Sequence, residues 1–251
     1  MGKIIAVANQ KGGVGKTTTS TSLCCAIKNR GRKVLLCDAD PQGNCTSGMG
    51  VDKSISPNIY DILVNGVNAA DCVVQTKFGD VIPANKELSG ATVELVNAEK
   101  REFVLKNALA TLKEDYDYIF IDCPPSLELL TLNALVAADT VLVPVQCEYF
   151  ALEGLTDLIT TIKLTNMRLN ANLAIEGIVL TMFDSRTNFS TQVADEIKKY
   201  FGEKVYRTYI PRNVRLAEAP SHGKPIIAYD RLSKGSRAYL KLANEFIKRQ
   251  H

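Results

Sequence analysis

Residues 1–18 constrain the fold more than any other part of the chain. Lys3–Ala8 (KIIAVA) is a short, nearly continuous apolar run, the pattern of a strand buried on both faces. It leads into Asn9-Gln10-Lys11-Gly12-Gly13-Val14-Gly15-Lys16-Thr17-Thr18, and the stretch from Lys16 to Arg30 then reads as a helix stopped by Gly31. A strand, a glycine loop and a helix in this order form a cradle for an anion. Glycines let backbone N–H groups approach without a Cβ in the way, and the helix start adds its positive dipole end and free N–H groups.

The loop fits the phosphate-binding pattern G-x-x-x-x-G-K-[ST], except that Gln10 stands where the first glycine belongs and a second lysine, Lys11, precedes Lys16 by five residues. Gly12, Gly13, Val14 and Gly15 would line the cradle, and Lys16 would reach the β- and γ-phosphates. Thr17 would place its hydroxyl on Mg²⁺, and Thr18 would meet the α-phosphate. Tyr118-Ile119-Phe120-Ile121 is a second apolar run, ending in Asp122, placed to hold the Mg²⁺ through water. No glutamate follows it to act as a base; Cys123-Pro124-Pro125 stands there instead. The water-orienting group is then expected from Asp38-Ala39-Asp40-Pro41-Gln42, which follows the strand-like run Lys33–Cys37. Asp40 would orient the attacking water and Asp38 would support the metal shell, with the end of this strand expected beside the phosphate loop.

Strand-like and helix-like stretches alternate along the rest of the chain. Further strands are expected at 80–82, 140–145, 174–181 and 205–210, and helices at 58–64, 86–96, 101–113, 151–166, 190–201 and 236–249. This alternation predicts one α/β domain over residues 1–251, with a mostly parallel, twisted sheet covered by helices on both faces. A hydrophobic content of 46% with 23% charged residues is ordinary for a globular domain, and no run approaches the ~18 apolar residues of a membrane span. Seven cysteines without a C-x-x-C pair suggest reduced thiols in a cytosol rather than a disulfide frame or zinc site. From Arg186 onward 14 Lys/Arg face 6 Asp/Glu, a basic third that suggests a polyanionic partner.

Taken together, KGGVGKTTT, DADPQGN, IDCPPS, PVQCEYFALEGL at 144–155 and IPRNVRLAEAPSHGKPI at 210–226 resemble the deviant-Walker ATPases of the ParA/MinD family, and within it the chromosomal, Soj-type ParA branch. The resemblance runs nearly end to end. It implies a P-loop ATPase that binds ATP and Mg²⁺, forms a homodimer around ATP, and returns to the ADP state on hydrolysis. Lys11 matches the signature lysine that crosses to the partner protomer's phosphates, which makes Lys11, Lys16 and Asp40 the catalytic set. Gly12 matches a position crowded by the partner. Met182, Pro211 and Asn213 match the adenine pocket. The resemblance further implies non-specific binding of double-stranded DNA by the ATP dimer, with Arg186 and Arg215 as the leading contacts and Arg212, Lys199 and Arg237 behind them. It implies stimulation by a ParB-type centromere-binding protein, a link in some bacteria to the replication initiator and to sporulation, and a cytoplasmic, nucleoid-associated location.

Three relatives with other functions share the ATP site. Membrane-cycling cell-division ATPases end in a basic amphipathic helix that lies on lipid, whereas the apolar spacing in Tyr239–Arg249 suits packing on the sheet. The iron protein of nitrogenase needs cysteines in two places to share a cluster, and only Cys123 is in position. A metabolic ligase of the superfamily would need a second substrate pocket, which the sequence does not display.

Overall fold

The computed structural model describes residues 2–148 and 151–250; Tyr149 and Phe150 of the PVQCEYFALEGL segment lie outside the described residues. Its six strands are β1 (Lys3–Val7), β2 (Val34–Asp38), β3 (Asp80–Ile82), β4 (Tyr118–Asp122), β5 (Thr140–Gln146) and β6 (Ala174–Thr181). They form one sheet in the order β3-β2-β4-β1-β5-β6, and every neighbouring pair is parallel. The five longest helices among the described residues are α1 (Lys16–Lys28), α2 (Leu129–Ala137), α3 (Ala151–Arg168), α4 (Asn188–Phe201) and α5 (Lys234–Arg249).

Side chains along each strand alternate between two cores. Ile4, Ala6, Leu35 and Cys37 belong to the core that holds Leu130 and Ala134 of α2, Leu155 and Leu158 of α3, and Ile197 of α4. Ile5, Val7, Val34 and Leu36 point the other way, onto Leu23 and Ile27 of α1 and Tyr239, Leu242 and Phe246 of α5. This is the expected sheet with helices on both faces. Burying a side chain of this size is worth about 1.5–3 kcal/mol, so the apolar side of α5 is committed to the sheet. The ring of Phe246 meets Tyr118 edge-on at 5.2 Å between centroids.

Two expectations change. Residues 205–210 do not form a seventh strand; they run beside β6 with isolated bridges at Ile178–Val205 and Phe183–Pro211. Tyr206 and Ile210 donate to the Ile178 and Leu180 carbonyls of β6, but between them the Glu245 carboxylate of α5 accepts the N–H groups of Arg207 (2.7 Å) and Thr208 (3.0 Å), which interrupts the ladder. The end of β2 is also not directly beside β1, because β4 lies between them. Asp38 and Asp122 consequently stand opposite each other in register, at the C-terminal ends of β2 and β4.

Candidate functional site

The loop after β1 turns at Gly13 (φ 75°) and Gly15 (φ 90°), left-handed conformations that favour glycine. It is fastened from the far side by the Thr181 hydroxyl at the end of β6, which donates to the Val14 carbonyl at 2.8 Å. Lys16 folds back over the loop, its Nζ 3.0 Å from the Lys11 carbonyl oxygen. Burial lowers the Lys16 pKa from its ordinary value, against the raising effect of the Asp122 and Asp40 charges nearby. The ammonium is thus largely buried and lies among the groups of three strand ends.

Asp122 is fully buried, and both of its oxygens are occupied. The Thr17 hydroxyl donates to Oδ2 at 2.8 Å and the Ser20 hydroxyl to Oδ1 at 2.7 Å. Burial raises the Asp122 pKa and the charge of Asp38 raises it further, while the two hydroxyls oppose the shift. Asp38 is equally buried and is also raised, chiefly by burial. Its Oδ2 accepts the Thr46 N–H and the Thr46 hydroxyl, each at 2.7 Å, and its Oδ1 accepts the Asp40 N–H at 3.2 Å. With protein donors on both oxygens, Asp38 would act on a cation through its field and through the Asp40 loop rather than as a direct ligand. Burial pushes the Cys123 thiol far up, so it remains protonated and cannot replace the missing glutamate as a base.

Asp40 is buried. Its Oδ1 accepts the Gln42 N–H at 2.9 Å, and its charge is among those acting on Lys16. The sequence places the Asp40 loop and the glycine loop at neighbouring strand ends; the structure brings them together across β4.

A divalent cation fits these groups. Two carboxylates stand opposite each other in register and are fully buried, with pKa values raised chiefly by burial and at Asp122 also by the charge of Asp38; a cation would offset this cost of burying charge, and a threonine hydroxyl rests on one of them. Among the described residues no cluster of three or more His, Cys, Asp or Glu could cage a metal. This is compatible with Mg²⁺, which commonly takes one or two protein ligands and completes its shell with phosphates and water.

Lys11 forms an ion pair with Glu148 after β5. Gln10 similarly reaches Asp157 of α3 at 2.8 Å. Gly12 is exposed, lacks a positive φ, and has only the Pro125 Cβ, at 4.0 Å, near the position of an added Cβ. Its own protomer would therefore accept a side chain there.

Met182, Arg186, Pro211, Arg212 and Asn213 lie on two loops beyond β6, and Arg215 on a short helix (Val214–Glu218) that follows the second, whereas Lys199 lies on α4 and Arg237 on α5. Met182, directly after Thr181, adopts φ 50°, a strained conformation for a side chain of its size and one that clusters at functional sites. The Phe183 N–H donates to the Ile210 carbonyl at 3.0 Å, and the Arg212 N–H returns to the Phe183 carbonyl at 3.3 Å. This pairing carries Pro211 and Asn213 beside Met182, and Asn213 caps a short helix by accepting the Arg215 N–H. Arg186 and Arg215 are both exposed and both ion-paired, Arg186 to Asp184 at 2.7 Å and Arg215 to Glu218 at 2.8 Å. Arg212, Lys199 and Arg237 are exposed as well.

A family model described as an AAA domain matches residues 2–175. The chain is 58% identical to the sporulation initiation inhibitor protein Soj of Bacillus subtilis over 98% of each chain. It is 53% identical to the chromosome partitioning protein ParA of Myxococcus xanthus, over 99% of this chain and 89% of that one. The chain belongs to the ParA/MinD family of P-loop ATPases, on its Soj-type branch. Among solved structures, the ParA/MinD fold recurs in the cell division ATPase MinD of Pyrococcus furiosus (TM-score 0.80, 30% identity, 100% of both chains). It recurs too in a cobyrinic acid a,c-diamide synthase from Mycobacterium smegmatis with bound ADP and magnesium (TM-score 0.87, 38% identity, 100% of this chain and 96% of that one). The ParA/MinD resemblance read from the motifs is thus confirmed along the whole chain.

Ser20 and Glu148 were not singled out from sequence as site residues. Ser20 is one of several hydroxyl residues in KTTTSTS, and its partner lies 102 residues away. Glu148 falls within a motif segment, but only the fold places it against Lys11.

Proposed function

We propose that the chain is a Mg²⁺-dependent ATPase of chromosome partition, switched by nucleotide between a monomer and an ATP-bound homodimer that holds double-stranded DNA without sequence preference. One observation carries this reading. The glycine loop contains a second lysine, which is paired with Glu148 beyond β5, and a glycine whose own protomer leaves room for a side chain. A second protomer facing the loop accounts for both, with Lys11 reaching the partner's phosphates and Gly12 leaving room for close approach.

Within the site, Lys16 and the loop N–H groups would hold the β- and γ-phosphates, and Thr18 the α-phosphate. Thr17 and Asp122 would hold Mg²⁺, which would supply positive charge against the negative charge that builds up during phosphoryl transfer. Asp40 would orient the attacking water, in a loop fixed by Asp38 and Thr46. Met182, Pro211 and Asn213 would receive the adenine. The basic face of Arg186, Arg215, Arg212, Lys199 and Arg237 would bind DNA phosphates once the dimer sets two copies side by side. A ParB-type partner would accelerate hydrolysis and so release DNA, with the replication initiator as a further partner and the nucleoid as the place of action. A synthase role, by analogy with the mycobacterial protein, is the weaker reading, because the partition relatives match at higher identity over almost the full chain.

Size-exclusion chromatography and DNA co-sedimentation with ATP, ADP or no nucleotide test the proposal. Wild-type protein is expected to dimerise and sediment with DNA only with ATP, and Asp40→Ala to stay in that state. Wild-type protein that remains monomeric with ATP, or Asp40→Ala that turns ATP over rapidly, would refute it.

A further inference from the structure

Beyond Asp38 the chain turns at Asp40-Pro41-Gln42-Gly43 and enters a short helix, Asn44–Gly48. The Gly43 N–H closes the turn by donating to the Asp40 carbonyl at 2.9 Å, and the Ala39 N–H ties its start to β4 by donating to the Asp122 carbonyl at 2.9 Å. Gly43 adopts φ 60°, and a Cβ there would stand 2.6 Å from the Ala84 carbonyl oxygen. The loop after β3 therefore lies directly against the turn that carries Asp40.

Thr46, fully buried, joins the two. Its hydroxyl accepts the Ala84 N–H at 2.9 Å and donates to Asp38 Oδ2 at 2.7 Å. A hydroxyl has a single proton, so the Ala84 N–H on its lone pair directs that proton to the carboxylate. The Thr46 N–H reaches the same oxygen, which leaves Oδ1 to accept the Asp40 N–H. A run of hydrogen bonds thus leads from the loop after β3, through Thr46 and Asp38, to the backbone of Asp40.

The same turn is held from its outer side by Lys53, whose ammonium donates to the Gln42 carbonyl at 2.6 Å. Its Cδ and Cε lie 3.1 and 3.2 Å from the position of a Cβ on Gly43, so the lysine stem runs along the turn. Thr46 and Lys53 both lie beyond the DADPQGN segment that marks Asp40 in the sequence.

We propose that Thr46 and Lys53 are positioning residues for ATP hydrolysis, which hold the Asp40 turn from its inner and outer sides so that its carboxylate meets the attacking water in one fixed place. The inference rests on the assignment of Asp40 to that water. Attack on a phosphoryl group is exacting, since a misplacement of ~1 Å can cost ~100-fold in rate. A turn gripped on one side only is free to rock about that grip. Neither residue belongs to the groups assigned to phosphate, Mg²⁺ or base, so each acts on rate rather than on affinity.

The test is single-turnover hydrolysis of ATP, with nucleotide affinity, Mg²⁺ requirement and melting temperature measured on the same proteins. Thr46→Val keeps the side chain's shape and removes its hydroxyl. It is expected to slow hydrolysis about tenfold with ATP affinity and Mg²⁺ requirement unchanged, and Thr46→Ser to restore the rate. Lys53→Ala, at a half-buried position, is expected to slow hydrolysis about threefold without lowering the melting temperature, and it decides the matter if Thr46→Val does not fold. In an Asp40→Ala background neither substitution should slow hydrolysis further, because both act through that side chain. The proposal is overturned by a wild-type rate in either folded variant, by losses that add to that of Asp40→Ala, by a loss that follows weaker ATP or Mg²⁺ binding, or by Thr46→Ser as slow as Thr46→Val. Asp40→Ala as fast as wild type would instead remove the water-orienting group of the ATPase reading, and this inference with it.

Discussion

Lys11 is held by Glu148 of its own chain, so the lysine proposed to serve a neighbouring protomer has a partner at home. Both side chains are partly exposed, and a pair of this kind is worth about 0–1 kcal/mol, small enough for a nucleotide phosphate to displace. Glu148→Gln should release the lysine and shift ATP-driven dimerisation to protein concentrations about two- to fivefold lower. Gly12→Val should abolish the dimer while leaving nucleotide affinity nearly unchanged. Analytical ultracentrifugation and fluorescent-nucleotide binding read the two effects separately.

Ser20 is predicted to keep Asp122 oriented when Thr17 turns its hydroxyl to a cation. A Ser20→Ala protein should need roughly tenfold more Mg²⁺ for half-maximal nucleotide binding, with affinity in EDTA nearly unaltered. Ser20→Thr should restore the response. Equal losses with and without Mg²⁺ would indicate a structural defect instead.

Arg186 meets Asp184 through two side-chain contacts, at 2.9 and 2.7 Å, and hydrogen bonds from Arg186 hold the Asp184 carboxyl well below the usual range. DNA phosphates must compete with that carboxylate. Asp184→Asn should tighten ATP-dependent DNA binding a few-fold, whereas Arg186→Ala/Arg215→Ala should weaken it and lower the salt slope by about 2. Filter binding across a salt series separates these outcomes.

Glu176 gives a pH prediction. Burial alone would raise its pKa, but the Lys3, Thr140 and Gln250 donors together with the Lys3 charge outweigh it and leave the carboxyl below its ordinary value. A carboxylate depressed in the folded state stabilises above its unfolded pKa, and that stability is lost as pH falls through the folded value. Glu176→Gln should therefore melt lower than wild type at neutral pH, and the gap should close below about pH 4. Thermal melts over this range are sufficient to check it.

Much of this architecture was legible because buried parallel strands spell themselves as apolar runs. Each of β1 to β6 lies within or overlaps such a run, and Thr17, Lys16 and Asp122, drawn from two separate motifs, lie together in the fold. Legibility failed where a distant side chain decides local structure. The alternation in Val205–Ile210 suits a strand, yet Glu245, some forty residues later, takes two of its donors. Helix α2 escaped notice because seven of its nine residues are buried, leaving little polar face to mark a period. At the site, the clasp of Asp38 by Thr46 and of Asp122 by Ser20 leaves no mark in the spelling, since any serine or threonine would look the same.

The rungs between Phe183, Ile210 and Arg212 have one more consequence. They tie the loop bearing Met182 and Arg186 to the segment bearing Pro211, Arg212 and Arg215, so that the residues proposed to receive the base and those proposed to meet DNA share a direct backbone connection. A displacement of Met182 on nucleotide binding would reach the arginines through backbone, where pliable side chains would absorb it. In mechanical terms, the two segments would work as a short lever with its fulcrum at the end of β6.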